Sequence, residues 1–201
     1  MIKNIVFDMG NVLVAYDSMR VCRQFIEDEQ DRETVCTAIF VSPEWIFLDM
    51  GVISEEEALK KIIKRLPKRL HEKAKLCMEH WPDYCMWPIE GMEELIKNLK
   101  ERGYGIYLCS NASMRLPDMY KKVIPGIRHF DGVLFSASEK CIKPQRQIYE
   151  ALFSRFSLKP EECFFVDDLQ LNIDGARECG MDGYCFADGD IEKLKGVLYG
   201  L

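Results

Sequence analysis

The 201-residue sequence predicts an α/β fold: a Rossmann-like parallel sheet core with a helical subdomain inserted after the first strand. Three observations predict it. Residues 2–7 (IKNIVF) form a short, mostly apolar run, as expected of a strand buried on both faces. From about Tyr16 to Trp87 no convincing strand pattern occurs, and four segments carry apolar residues at helical spacing. After Pro88 strand-like and helix-like segments alternate, the pattern of right-handed crossovers joining parallel strands.

Taken in order, the helical block contains VCRQFIEDE, TVCTAIF, SEEEALKKIIKRL and KRLHEKAKLCMEHW. Ser54 followed by Glu57 forms a capping box for the third. The amphipathic MEELIKNLKERG then leads into a strand at YGIYLCS. Further strands are predicted at GVLFSA, CFFVD and MDGYCFA, with helices near residues 115–123, 145–156 and 172–179. The expected division is a core of residues 1–15 and 88–201 and a helical cap at 16–87.

Composition narrows the function classes. A hydrophobic content of 48% over this length supports one core and a modest subdomain. No apolar run is long enough to span a bilayer, and the first strand runs straight into a motif, so a cytoplasmic protein without membrane contact is expected. The nine cysteines are odd in number and include no CxxC pair, so they read as small buried hydrophobes in a reducing compartment. A net charge of −6 argues against nucleic acid as a partner.

Four stretches carry the chemistry, and they fall at predicted strand ends, except Lys143-Pro144, which is expected to open a helix with Pro144 at its first position. Asp8 follows the first strand and precedes Met9-Gly10-Asn11, a turn that exposes a carboxylate and lets backbone amides approach an anion. Ser110-Asn111 ends a strand with a hydroxyl and an amide suited to a phosphoryl oxygen. Lys143 supplies a point positive charge. Asp167 and Asp168 close the strand CFFV, and neighbouring like charges at one strand end favour a divalent cation such as Mg²⁺. Each of these has a plainer reading as a turn, cap or surface residue.

Together and in this order, the motifs FDMGNV, SN, KP and FFVDDLQLN resemble those of the haloacid dehalogenase-like (HAD) phosphohydrolases, within the capped members whose first motif reads DxGNV. That branch includes α-D-glucose-1-phosphate phosphatase-like proteins and is similar to the N-terminal phosphatase domain of soluble epoxide hydrolase. The resemblance implies a Mg²⁺-dependent phosphomonoesterase working through an aspartyl-phosphate on Asp8. It implies Asp8, the Gly10 carbonyl and Asp168 as metal ligands, Asp167 orienting waters, Lys143 as the charge on the phosphoryl group, and Asn172 facing the same loop. Ser110, Asn111, Lys143 and Asn11 are the expected substrate contacts of the core. A small phosphorylated metabolite, with sugar phosphates as the expected class, is the expected partner, and the chain is expected to be a monomer or homodimer.

One departure matters. Where most of the family carry an acid/base aspartate two residues after the nucleophile, this chain has Gly10. General acid-base assistance is worth about 10²–10⁴ in rate. Asp17 is a candidate substitute, with N-capping of the helix near Ser18 as its alternative role. The substrate is the other remedy, because an anomeric leaving group needs less protonation. Trp45, Asp49 and Gly51 are candidates for cap residues facing the substrate, while His71, His80 and His129 have no ligand spacing. A phosphotransferase or mutase shares the chemistry, and a non-catalytic phosphate-binding module would explain the glycine. A dehalogenase has no use for the paired aspartates.

Overall fold

The computed structural model describes residues 1–201. The chain begins with β1 (Asn4–Phe7) and β2 (Val14–Tyr16), then enters five helices: α1 (Met19–Phe25), α2 (Glu29–Phe40), α3 (Pro43–Asp49), α4 (Glu55–Ile63) and α5 (His71–Tyr84). It returns through β3 (Met86–Pro88), α6 (Met92–Glu101) and β4 (Gly105–Ser110). There follow α7 (Tyr120–Val123), β5 (Gly132–Phe135), α8 (Ser136–Glu139), α9 (Arg146–Phe156), β6 (Cys163–Asp167), α10 (Gln170–Glu178), β7 (Asp182–Cys185) and α11 (Ile191–Tyr199).

The main sheet has the order β5-β4-β1-β6-β7, and every pairing in it is parallel. β1 is central, with Phe7 opposite Leu108 on one side and Val166 on the other. The chain fills one flank of β1 with β4 and β5, then crosses back to fill the other with β6 and β7. That reversal opens a crevice at the carboxyl ends of β4, β1 and β6. Both faces of β1 are covered: Ile5 and Phe7 join one apolar cluster, while Val6 joins a second with Ile148, Leu152 and Ile173 from α9 and α10. Ile5, Val6 and Phe7 of β1 are fully buried, which explains an apolar run without alternation.

The larger cluster runs without a break from the sheet through α6 and α11 into the helical segment, where Val21, Val35, Ile62 and Trp81 belong to it. Burial of this kind contributes about 1.5–3 kcal/mol per large apolar side chain. The helical segment is therefore packed against the sheet as well as joined to it. The capping box of α4 forms, with Glu57 N–H donating to Ser54 Oγ at 3.2 Å and Ser54 N–H to Glu57 Oε2 at 3.1 Å.

Three expectations are corrected. β2 and β3 pair antiparallel, Val14 with Pro88 and Tyr16 with Met86, at the two places where the helical segment leaves and rejoins the sheet. Three residues are too few to show a strand period, and Pro88 masks the second strand further. Helix α9 starts at Arg146, with Gln145 at the N-cap position but making no side-chain cap, so Pro144 is not its first residue. Residues 142–145 instead make a turn closed by Gln145 N–H on Ile142 O at 2.8 Å. The helix expected at 115–123 is split into a 3₁₀ turn, Leu116–Asp118, and the short α7, with Met119 between them at φ −130°, outside the helical range.

Candidate active site

Asp8 stands one residue past β1, Ser110 ends β4 and Asp167 ends β6, so parallel pairing alone brings two carboxylates and a hydroxyl to one end of the sheet. Asp8, Asp167 and Asp168 each offer an oxygen within 4.8 Å of the others. Lys143 enters from the turn before α9, its ammonium 2.8 Å from Asp8 Oδ1 and 2.6 Å from Asp167 Oδ2. Its side chain is 1% exposed. Burial alone would lower the Lys143 pKa, but the two carboxylates outweigh it and hold the ammonium charged well above its ordinary range. Burial lifts the Asp8 carboxyl to about 6, against the pull of Lys143 and with a push from the Asp167 charge.

The groups around this pair are closely tied. Asp167 accepts from Lys143, from Leu169 N–H at 2.9 Å and from Asn172 Nδ2 at 2.9 Å. In this structure it is the anchor that aims Lys143 at Asp8. Asn172, singled out from the sequence, thus holds Asp167, and its own carbonyl accepts from the Tyr149 hydroxyl at 2.7 Å. Asn111 fixes the lysine from the other side: Oδ1 accepts from Lys143 N–H at 2.8 Å and Nδ2 donates to Lys143 O at 3.1 Å. Its side-chain amide is spent on the lysine segment, so its backbone is what remains for a ligand. Asn11 has φ +53°, a conformation asparagine tolerates, and donates from Nδ2 to Asp168 Oδ2 at 3.2 Å.

These residues floor a cleft of about 220 Å³. Asp8, Gly10, Asn11, Ser110, Asn111 and Asp168 line it from the sheet, and Tyr16, Trp45, Asp49 and Trp81 line it from the helical side. A wider depression of about 690 Å³ around Thr34, Val41 and Arg65 holds no grouped acids. Trp45 is both wall and core, with edge contacts to Phe40 and Trp81 at centroid distances of 4.7 and 5.2 Å. The Tyr16 hydroxyl and the Ser113 hydroxyl, both buried in the cleft, have no hydrogen-bond partner. Neither was marked by any sequence motif.

Asp17 is corrected. Its Oδ1 accepts from Met19 N–H at 2.9 Å, Oδ2 pairs with Arg23 at 3.2 Å, and the residue does not line the cleft. The cap-like role wins because the start of α1 has amides to satisfy and Ser18 makes no side-chain cap. Gly51 is corrected too. It turns at φ +65° against the backbone of Ala137, where an added Cβ would lie 2.2 Å from the carbonyl oxygen, so it serves close packing rather than the cleft. At Gly10 the opposite holds, with nothing within 4 Å of an added Cβ.

Asp49, the last residue of α3, remains. Its carboxyl is raised to about 7 by burial, with the Asp8 charge adding and the nearby Ser113 amide opposing. The histidines take no part: His71 meets Leu66 O, His80 meets Asp83 and His129 meets Arg128.

A sesquiterpene phosphatase of Aspergillus oryzae is 26% identical over 188 residues, 92% of this chain and 90% of that protein. A flavin mononucleotide hydrolase of Arabidopsis thaliana is 28% identical over 73% of this chain, which spans 58% of that protein. The bifunctional epoxide hydrolase 2 of Mus musculus is 41% identical, over 36% of this chain. Among solved structures, a HAD family enzyme of Bacteroides thetaiotaomicron in complex with magnesium and inorganic phosphate superposes with a TM-score of 0.76 at 22% identity, over 96% of this chain and 99% of that one. The haloacid dehalogenase-like hydrolase model matches residues 2–180, and with the acids gathered at the strand ends of the expected sheet, the chain belongs to that family.

Proposed function

We propose that this protein is a Mg²⁺-dependent phosphomonoesterase for a small hydroxylated phosphate ester, a sugar phosphate by class, with residues 16–87 acting as its cap. The observation that carries the reading is the grouping of Asp8, Asp167 and Asp168 oxygens within 4.8 Å beside the buried Lys143 ammonium. An all-oxygen donor set of carboxylates suits Mg²⁺ better than a softer metal. Asp167 is bonded to three protein donors, which leaves Asp8, Asp168 and the Gly10 carbonyl to hold the ion. When bound, Mg²⁺ supplies positive charge that keeps Asp8 ionised and draws a phosphoryl oxygen into the cleft.

The protein's own groups supply the rest. An Asp8 oxygen attacks phosphorus as the ester P–O bond breaks, leaving the phosphoryl group on Asp8 until water displaces it. Lys143 neutralises charge on the phosphoryl oxygens throughout the transfer, and the Ser110 hydroxyl and neighbouring amides bind one of them. Because Asp167 and Asn111 hold the lysine, it needs no rearrangement when substrate arrives.

Substrate size and polarity favour a sugar. The cleft of about 220 Å³ is smaller than the roughly 300–1,000 Å³ that hold drug-sized ligands. The Tyr16 and Ser113 hydroxyls stand without partners beside Trp45 and Trp81, a set suited to hydrogen-bonding and stacking on a polyhydroxylated ring. Hydrolysis of p-nitrophenyl phosphate with Mg²⁺ and with EDTA, beside Asp8→Asn, tests the chemistry. Loss of activity in both EDTA and the variant is expected, and activity in the asparagine variant would remove Asp8 as nucleophile. A panel of sugar phosphates and terpenyl phosphates tests the class, and a clear preference for a terpenyl phosphate would overturn the sugar reading.

A further inference from the structure

The geometry points to Asp49 as the proton donor and acceptor of this active site, reaching in from α3 in place of the carboxylate missing at position 10. The inference rests on the phosphatase reading. Three acidic side chains line the cleft, Asp8, Asp168 and Asp49. Asp8 is paired with Lys143 and Asp168 is bonded to Asn11, and both belong to the group that would hold the cation. Asp49 alone comes from the helical wall, the side that receives the leaving group when the phosphoryl group sits on the sheet floor. Asp17 is committed outside the cleft, and Gly10 leaves open space where an acid would otherwise stand.

Asp49 is also held in place. The Ser136 hydroxyl donates to Asp49 O at 2.5 Å while accepting from Ala112 N–H at 2.9 Å, which ties the end of α3 to the loop after β4 and the start of α8. Two residues on, Gly51 rests on Ala137 and its carbonyl accepts from Lys140. The groups facing the carboxyl are Asp8 from the end of β1, the Tyr16 phenol from β2 and the Ser113 amide after β4. Burial and the negative end of α3 favour the protonated form needed to start the cycle.

The balance closes. In the first step the Asp49 carboxyl gives its proton to the ester oxygen as that oxygen leaves phosphorus and Asp8 bonds to it. In the second the Asp49 carboxylate takes a proton from water as the water oxygen attacks phosphorus and the Asp8–phosphorus bond breaks. Inorganic phosphate, ionised Asp8 and protonated Asp49 are restored. A site with this donor does not depend on the substrate to bring a good leaving group.

The test compares two aryl esters that differ in leaving-group acidity, phenyl phosphate and 2,4-dinitrophenyl phosphate, by kcat/KM with Mg²⁺. Asp49→Asn is expected to lower the value for phenyl phosphate by about 10²–10⁴, and for the dinitrophenyl ester at least roughly tenfold less. The ratio of the two within one preparation is independent of the folded fraction, so a poorly folding variant still reports. Gly10→Asp added to Asp49→Asn is expected to recover phenyl phosphate hydrolysis. Equal losses on both esters would overturn the assignment while leaving the phosphatase reading intact. Failure of the unmodified protein to hydrolyse either ester would remove both.

Discussion

The two walls of the cleft are built on opposite principles. On the sheet side most polar groups are held by another part of the protein: Asp167 has three donors, Asn111 has both ends of its amide on the Lys143 backbone, and Asp8 Oδ1, which has no hydrogen-bond partner, lies in an ion pair 2.8 Å from the Lys143 ammonium. On the helical side the Tyr16 hydroxyl, with the Ser113 hydroxyl of the loop after β4 in the same cleft, is buried with no charge and no hydrogen bond to hold it. A buried unsatisfied polar group costs about 1–3 kcal/mol, so the helical wall gives up stability that the sheet wall does not. The phosphoryl end of the site is thus assembled in advance, and the other end is completed by the molecule it binds.

Breaking the sheet wall should cost most. Lys143→Met leaves Asp8 and Asp167 as buried like charges, and activity on p-nitrophenyl phosphate is expected to fall by about 10²–10³. Urea titration should show a stability loss of about 3–5 kcal/mol, the range for removing one partner of a buried ion pair. Asn111→Ala tests the same wall more gently. It removes two hydrogen bonds to the lysine segment, and a loss of about 1–3 kcal/mol with a lower kcat is expected.

On the helical wall the signs should reverse. Tyr16→Phe and Ser113→Ala each delete a hydroxyl without a partner, so thermal melting of the unliganded protein should rise, by up to about 1 kcal/mol of stability. The same variants should raise KM for a sugar phosphate several-fold and leave p-nitrophenyl phosphate, which offers no hydroxyls, much less affected. A drop in melting temperature would show that these hydroxyls are satisfied within the protein, and the contrast between the walls would dissolve.

The smallest effect lies away from the cleft. The buried Glu44 accepts from Arg65 at 3.0 and 2.6 Å, and the guanidinium holds its carboxyl below the usual range. A depressed folded pKa contributes stability above the unfolded value of about 4.3, and that stability disappears as pH falls through the folded value. Arg65 is 45% exposed, so screening limits the pair to about 1 kcal/mol or less. The melting difference between Glu44 and Glu44→Gln proteins should therefore close as the pH is taken below about 4.

The sheet wall was largely legible in the amino-acid order, because parallel strands carry their last residues to one edge and motifs at strand ends must meet there. Asp8, Ser110, Lys143, Asp167 and Asp168 do meet. The helical wall was legible only in part: Trp45 and Asp49, marked as cap residues facing the substrate, line the cleft, while Tyr16 and Trp81 carried no mark. Tyr16 lies on a strand of three residues, too short to announce itself, and its neighbours in the cleft come from α3, α5 and the loop after β4. Asp17 illustrates the limit: the acid marked as a substitute acid/base for its nearness to the nucleophile is held by the start of α1, while Asp49, marked only as facing the substrate, is the acid that packing brings into the cleft. The twin bonds of Asn111 to Lys143 were equally hidden, since a turn-type residue gives no sign of which backbone it will hold.

The most direct test is to mix the protein with Mg²⁺ and 2,4-dinitrophenyl phosphate, quench in acid within a turnover, and map the modified peptide after borohydride reduction. The account predicts a phosphoryl group bound to the peptide containing Asp8, reduced there to homoserine and absent in Asp8→Asn. A peptide bearing phosphate at any other residue, or turnover that persists in Asp8→Asn, would contradict it.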